Sequence, residues 1–454
     1  MDIRQLTESQ RAYFNTGATR PAAFRRQALE RLGHALRAYE ARLNAALLSD
    51  LNKAPAESYF TEMGMVLEEL RFQLKHFEGW MRPRRVAVPL AQFPAKGEIW
   101  PEPYGCVLIM APWNYPVQLC LIPLLGAIAA GNCVIVKPSA YAPASSAAIA
   151  ALLGEIFPPE FVAVVEGGRA ENRTLLEQPF DYIFFTGSPA VGREVMAAAA
   201  KNLTPVTLEL GGKSPVIVDP TADIPLSARR IAFGKVLNAG QTCVAPDYLL
   251  LHRSVKDAFV REYRRALEEF FPGGDFGELP RIVNDKHFRR ADGLLAGQRV
   301  LVGGERDAAR RFIAPALLDE TDPESPVMQE EIFAPILPML CWQEREEVVR
   351  FIQSRPKPLA LYLFTRDREM EREIFDRCSF GGGCVNDTIV HLACSGLPFG
   401  GVGNSGMGSY HGKQSFDTFT HYRSVLKKTN WLDLPMRYHP YRGEKLRWIK
   451  RFLK

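Results

Sequence analysis

The chain of 454 residues contains eight cysteines, at 106, 120, 133, 243, 341, 378, 384 and 394, with no CxxC spacing and no paired framework. A disulfide-stapled scaffold is thereby excluded, and reduced thiols in the cytoplasm are the expectation. The opening MDIRQLTESQRAYF lacks the apolar stretch of a secretion signal. Excess charge is also missing from most of the chain. The formal net charge is +5, but Lys427–Lys454 alone carries +7, leaving the other residues at −2. A near-neutral body excludes global nucleic-acid binding. No internal repeat, low-complexity tract or metal-ligand cluster is present, so no metal is expected.

Charge is absent altogether from Pro103 to Val136, and LCLIPLLGAIAAGNCVIV would catch a hydropathy scan. Pro112, Pro116, Pro123, Gly126, Gly131 and Asn132 interrupt that run, and it ends on Lys137. A buried strand, helix and strand account for it better than a membrane span, because strands covered on both faces read as continuous apolar runs.

What is present is a globular composition, 47% hydrophobic and 24% charged. At this length, about two or three domains are expected, with a core that needs no staples. The first eighty residues read helical: apolar residues recur at three- and four-residue spacing over Arg20–Lys53, and a second run spans Ala56–Met81. β-type runs then appear at Cys106–Ala111, Cys133–Lys137, Phe161–Glu166, Tyr182–Thr186 and Val206–Leu210, with helical segments near 117–130, 144–156, 170–177 and 190–201. Five strands joined by helical crossovers predict a parallel α/β sheet. A second mixed region, about 211–390, has strand-like pieces at Val216–Val218, Tyr248–His252, Ile313–Leu317 and Ala360–Thr365.

No GxGxxG follows any of the five strands. Instead Tyr-Ile-Phe-Phe runs into Thr186-Gly187-Ser188-Pro189-Ala190-Val191-Gly192 and a helix. Two glycines at a helix N-terminus suit a pyrophosphate, and equally an ordinary strand-to-helix turn. Glu209 lies between leucines and is followed by Gly211-Gly212-Lys213. A carboxylate in such a setting is either a general base with a raised pKa or the partner of a buried cation. Cys243 ends Asn238-Ala239-Gly240-Gln241-Thr242-Cys243, a polar turn that can expose a thiol; read alone, it is a nucleophile or a small core residue.

Taken together, PWNYP (112–116), KPS (137–139), FTGSPAVG (185–192), LELGGKSP (208–215), NAGQTC (238–243), EEIFAP (330–335) and LPFGGVGNSGMGSYHG (397–412) resemble the aldehyde dehydrogenase superfamily over essentially the whole chain. The ending LPFGGVGNSGMGSYHGKQSFDTFTHYRSV looks most like the class 3 branch, which acts on fatty and aromatic aldehydes. The fold implied is a Rossmann-type cofactor domain (1–84 and 104–210), an α/β catalytic domain (211–390) and a β-arm for oligomerisation (85–103 and 412–430), with a basic tail over 431–454.

The activity implied is NAD- or NADP-dependent oxidation of an aldehyde to the acid. By the resemblance, Cys243 is the nucleophile, Asn114 the oxyanion donor and Glu209 the base that activates water. Lys137 would hold the adenosine ribose, with Trp113 also on the cofactor side. Gly187, Ser188 and Gly192 would form the pyrophosphate turn, and Glu331 and Phe333 would place the nicotinamide ribose and ring. Tyr115 and His391 are expected to line the aldehyde tunnel, although His391 also suits a structural role. Two positions depart from the pattern: Ala140 stands where a Glu is usual, and Ala334 where a Gly is usual. The first leaves both cofactors open. The alternatives are an acylating enzyme that passes the acyl group to coenzyme A or phosphate, and a non-catalytic scaffold. The arm predicts a homodimer. The tail, with Trp431, Tyr438, Tyr441, Trp448 and Phe452 among its cations, suggests peripheral membrane contact.

Overall fold

The computed structural model describes residues 2–452, so the last two residues of the 431–454 tail lie outside it. The strands of its two main sheets are numbered β1 to β12. The first sheet comprises β1 (Cys106–Met110), β2 (Cys133–Lys137), β3 (Val162–Val164), β4 (Tyr182–Gly187) and β5 (Val206–Leu210). All five are parallel, in the order 3-2-1-4-5. This is the doubly wound arrangement that the alternation predicts, with its switch point between β1 and β4. The third strand is shorter than the expected Phe161–Glu166, because only its middle pairs with β2.

Every residue of β1, β2 and the intervening helix Pro116–Ala130 is buried, which is why no charge appears before Lys137, the last residue of β2. Gly131 ends that helix at φ +95, and Arg25 caps it by donating to the carbonyl of Ala129 at 3.0 Å. Among the described residues, no helix is long and apolar enough to cross a membrane.

The second sheet comprises β6 (Pro215–Val218), β7 (Tyr248–His252), β8 (Val300–Val302), β9 (Ala316–Leu318), β10 (Ile336–Trp342), β11 (Ala360–Phe364) and β12 (Gly382–Val385). Its order is 8-9-10-7-6-11-12, parallel except at the β8 edge. The single strand expected over Ile313–Leu317 is divided at Ala314-Pro315, since proline cannot donate to a ladder. The N-terminal ends of β7 and β10 face the C-terminal ends of β1, β4 and β5, and the loops meet between the sheets.

Two helical expectations are refined. The run over Arg20–Lys53 breaks at Tyr39 into Ala22–Ala38 and Glu40–Leu51; the Tyr39 hydroxyl bonds Glu155 of a neighbouring helix. The second run contains a π-turn at Tyr59–Met63 before Gly64–Trp80. A Cβ at Gly64 would lie 2.7 Å from the Tyr59 carbonyl, so the wide turn requires glycine.

The arm is a three-stranded antiparallel sheet of Arg84–Val86, Ala95–Pro103 and Thr420–Lys428. The expected arm segment 412–430 is corrected at its start: Lys413–Thr418 is a short helix, because Ser415 packs against Gly126 of the buried helix. Upstream, Gly406–Met407 adds an antiparallel edge to β5 and sets Gly406 opposite Glu209.

Candidate active site

Between the sheets lies a cavity of about 320 Å³. The loop after β1 contributes Trp113 and Asn114, the end of β4 contributes Thr186, Gly187 and Ser188, and the end of β5 contributes Glu209. The loop entering β7 contributes Cys243, and the loop entering β10 contributes Glu331 and Phe333.

The Cys243 loop is held in an uncommon conformation. Asn238, Ala239 and Gly240 lie consecutively at φ +52, +51 and +71, and two of these are not glycine. Hydrogen bonds from every side fix it. The amide N–H of Asn238 donates to Glu57 at 2.7 Å, and its Nδ2 donates to the carbonyl of Asn114 at 2.8 Å. Asn114 Nδ2 donates in return to the carbonyl of Gln241 at 2.9 Å, which leaves its second N–H uncommitted to that bond. The Gln241 amide bridges Asn238 and Arg281 while accepting from Val283 N–H. Gly240 presses on the next loop, where a Cβ would collide with the Ala334 carbonyl.

Asn114 itself is fixed from below. Lys53 and Glu62 form a fully buried ion pair at 2.7 Å. Lys53 also donates to the Asn114 carbonyl at 3.2 Å, and Glu62 accepts from the Val117 and Gln118 amides at the start of the buried helix. A carboxylate there is favoured by the helix dipole. The π-turn supplies that glutamate.

Three acidic groups share the site. Glu209 is buried, and neither carboxylate oxygen has a hydrogen-bond partner among the described residues. Burial raises its pKa well above the ordinary carboxyl value. Such an orphaned group is costly and calls for a functional explanation. Glu331 accepts from Gly212 N–H, but its Oε1 is unpartnered among the described residues. Burial first, then Asp247, push its pKa up to about 8. Burial, followed by Glu331 and Glu209, raises the Cys243 thiol, so this state holds a neutral nucleophile.

The two glycines and the lysine after Glu209 brace the Glu331 loop. A Cβ on Gly211 would collide with the Glu331 carboxylate. Lys213 pairs with Asp247 and donates to the carbonyls of Val327 and Glu330, both at 2.8 Å. Asp247 accepts from Ile332 N–H at 2.9 Å. Phe333 follows at φ +49, its ring edge-on to Trp113 at 5.4 Å.

On the β4 side, Ser188 caps the helix Pro189–Ala200. Gly187 and Gly192 are small for packing reasons: a Cβ would lie 2.5 Å from Phe185 and 2.7 Å from Leu210, respectively. Lys137 lies outside the cavity walls; its Nζ donates to the carbonyls of Pro138 at 2.7 Å and Gly167 at 2.6 Å.

Neither Tyr115 nor His391 lines this cavity. Tyr115 is buried beneath the cysteine loop, its hydroxyl 2.6 Å from Thr242 Oγ1. His391 sits 3.6 Å from Cys384 Sγ, with its pKa lowered to about 4 by burial. Thr186, at the start of the turn picked out in the sequence, also lines the cavity, as do His287 and Arg290, which sequence reasoning missed. The last two lie on Asp285–Leu294, whose ordinary amphipathic pattern gives no signal of a site. Among the described residues, no group of three or more His, Cys, Asp or Glu could hold a metal.

The model of the aldehyde dehydrogenase family matches residues 1–425. The chain belongs to the aldehyde dehydrogenase family. It is 49% identical to the 4,4'-diaponeurosporen-aldehyde dehydrogenase of Staphylococcus aureus, over 100% of this chain and 99% of that protein. It is 44% identical to the dimeric NADP-preferring aldehyde dehydrogenase of Canis lupus familiaris, over 96% and 98%. The structure of the substrate-bound state of a Staphylococcus aureus AldH superposes with a TM-score of 0.97 at 48% identity, each chain covered completely. As a family member the chain is an oxidoreductase that oxidises aldehydes with NAD or NADP. Its donor set fits such a cofactor: a buried lysine at the β2 end, a capped helix N-terminus without a Cβ at Gly187, and a Glu331 oxygen unpartnered among the described residues.

Proposed function

We propose that Cys243, Asn114 and Glu209 carry the oxidation of an aldehyde to its free acid. Segments 1–84 and 104–210 hold the cofactor, and 211–390 supply the nucleophile. The reading rests on one observation: a thiol, a side-chain amide with a spare N–H and a carboxyl group with no partner among the described residues converge on one cavity. Cys243 Sγ gives its proton to solvent and bonds the aldehyde carbon, giving a thiohemiacetal oxyanion. Asn114 Nδ2 and the Cys243 N–H stabilise that oxygen, each such donor contributing about 3–4 kcal/mol of barrier. A bound nicotinamide, placed by Glu331, Phe333 and Trp113, would supply the hydride acceptor for this oxidation, and Cys243 would then hold the acyl group as a thioester. Glu209 then takes a proton from water, the hydroxide attacks the thioester, and the acid departs as the thiol reforms. Glu209 would be superfluous in an acyl transfer to coenzyme A, which favours hydrolysis.

Lys137 holds the adenosine ribose, Ser188 and the glycines the pyrophosphate, and Glu331, Phe333 and Trp113 the nicotinamide end. The apolar walls at Pro112, Leu119 and Leu210 suit fatty or aromatic aldehydes. The relative named for 4,4'-diaponeurosporen-aldehyde agrees with that preference. With Ala140 in place of a carboxylate, NADP should support turnover with kcat/KM within about tenfold of NAD. Hexanal or benzaldehyde with either cofactor, followed at 340 nm, should give turnover that coenzyme A does not raise. Cys243→Ala should abolish it; residual oxidation above about a few per cent, less than about 2 kcal/mol of lost barrier, overturns the assignment.

Two surfaces extend this reading. Arg84–Val86 and most of Thr420–Lys428 are exposed strands, suited to pairing with a second copy, and one relative is named dimeric. The helix Glu444–Phe452 exposes Leu446 and Trp448 beside Lys445, Arg447, Lys450 and Arg451, which suits an anionic lipid surface. Eight free cysteines suit the reducing cytoplasm.

A further inference from the structure

The adenosine end of the cradle lacks a carboxylate at Ala140, yet acidic groups reach it from other elements. Gly167, whose carbonyl binds Lys137 Nζ at 2.6 Å, directly follows Glu166. The chain there still follows β3, since Val165 N–H donates to the Val136 carbonyl at 3.0 Å. Glu166 is exposed, and its Oε1 accepts from Ser146 Oγ at 2.9 Å. Ser146 stands in the first turns of the helix Pro143–Ile156, which begins three residues after Ala140. The carboxylate is thus tethered on the same rim as Ala140.

We propose that Glu166 supplies the carboxylate missing at Ala140 and discriminates between a ribose 2′-hydroxyl and a 2′-phosphate. This rests on the reading that Lys137 holds the adenosine ribose. The other groups nearby are committed. Glu171, the second carboxylate acting on Lys137, accepts from Gly168 N–H at 2.6 Å. The Ala144 and Ser145 amides, which could receive a phosphate at that helix start, already donate to Asp50 at 3.2 and 2.8 Å. A 2′-phosphate therefore meets Lys137 opposed by Glu171 and Glu166, whereas a 2′-hydroxyl can donate to Glu166. The carboxylate favours NAD and the vacant Ala140 side chain lets NADP in, so the two positions together set the balance.

Binding of 5′-AMP and 2′,5′-ADP, measured by calorimetry on the wild type and on Glu166→Gln, tests this without turnover. Glutamine keeps the length and an acceptor for Ser146 but removes the charge. The variant should bind 2′,5′-ADP about fivefold more tightly relative to 5′-AMP, as loss of a like charge near a dianion requires. The gain should shrink in about 1 M salt, which a merely structural role would not cause. The ratio of kcat/KM for NADP over NAD should rise by the same factor. Ratios unchanged within about twofold would overturn the proposal while leaving the Lys137 reading intact. A wild type that binds neither nucleotide would overturn the Lys137 reading, and the proposal with it.

Discussion

A carboxyl group with its pKa pushed up to about 8, as burial and Asp247 push Glu331, holds its proton in the folded protein where the unfolded chain has lost it. From the ordinary value of 4.5 up to about 8 the native state binds more protons, so this group makes stability fall as pH rises. Glu331→Gln should match the wild type near pH 5 and exceed it increasingly toward pH 8 in denaturant unfolding. A gap that stays constant with pH would show that Glu331 does not titrate in this window. Membership of the cavity was legible in the sequence where a motif isolates unusual chemistry, as at Cys243, Glu209, Asn114 and Glu331. Tyr115 was legible as near the site but not in its orientation, because a buried hydroxyl needs a partner and Thr242 provides one. His287 and Arg290 were not legible, because on a helix they read as an ordinary polar face.

At the scale of elements, the loop before Cys243 is the part with least tolerance. Gly240 combines φ +71 with a Cβ position blocked by the Ala334 carbonyl. Alanine there must either push the loop toward β10 aside or move the cysteine. Gly240→Ala should cost about 1–3 kcal/mol of stability from strain and overpacking. It should lower kcat/KM by about a hundredfold or more, since misplacing a reacting group by about 1 Å costs that much. Chemical denaturation beside steady-state kinetics separates the two; an active, fully stable variant would mean the loop can relax. Strands and helices were legible through periodicity, and proline 315 explains one division. The break at Tyr39 was not legible, because no residue there disfavours a helix; in the fold its hydroxyl bonds Glu155 of a neighbouring helix. The helix Lys413–Thr418 was missed for a similar reason, since a single close contact at Gly126 fixes it.

At the scale of the whole molecule, the alternation of strands and helices made the 3-2-1-4-5 sheet legible, because parallel neighbours must be joined by crossovers. The return of Gly406–Met407 to β5 was not, since a glycine-rich loop carries no periodicity. The tail and the arm make separable predictions. Truncation after Thr429 keeps all three arm strands, so light scattering should still report a dimer, while co-sedimentation with anionic liposomes is lost. A monomeric full-length chain, or liposome binding that survives truncation, would contradict one or the other. On the proposed mechanism, Cys243 carries a thioester that Glu209 hydrolyses in the same cavity. The most direct measurement is intact-protein and peptide mass spectrometry of Glu209→Gln quenched after mixing with aldehyde and NAD. A burst of reduced cofactor equal to the enzyme present is expected, with the acyl group added at Cys243 and slow turnover thereafter. No burst and no adduct, or an adduct on another residue, would contradict that mechanism.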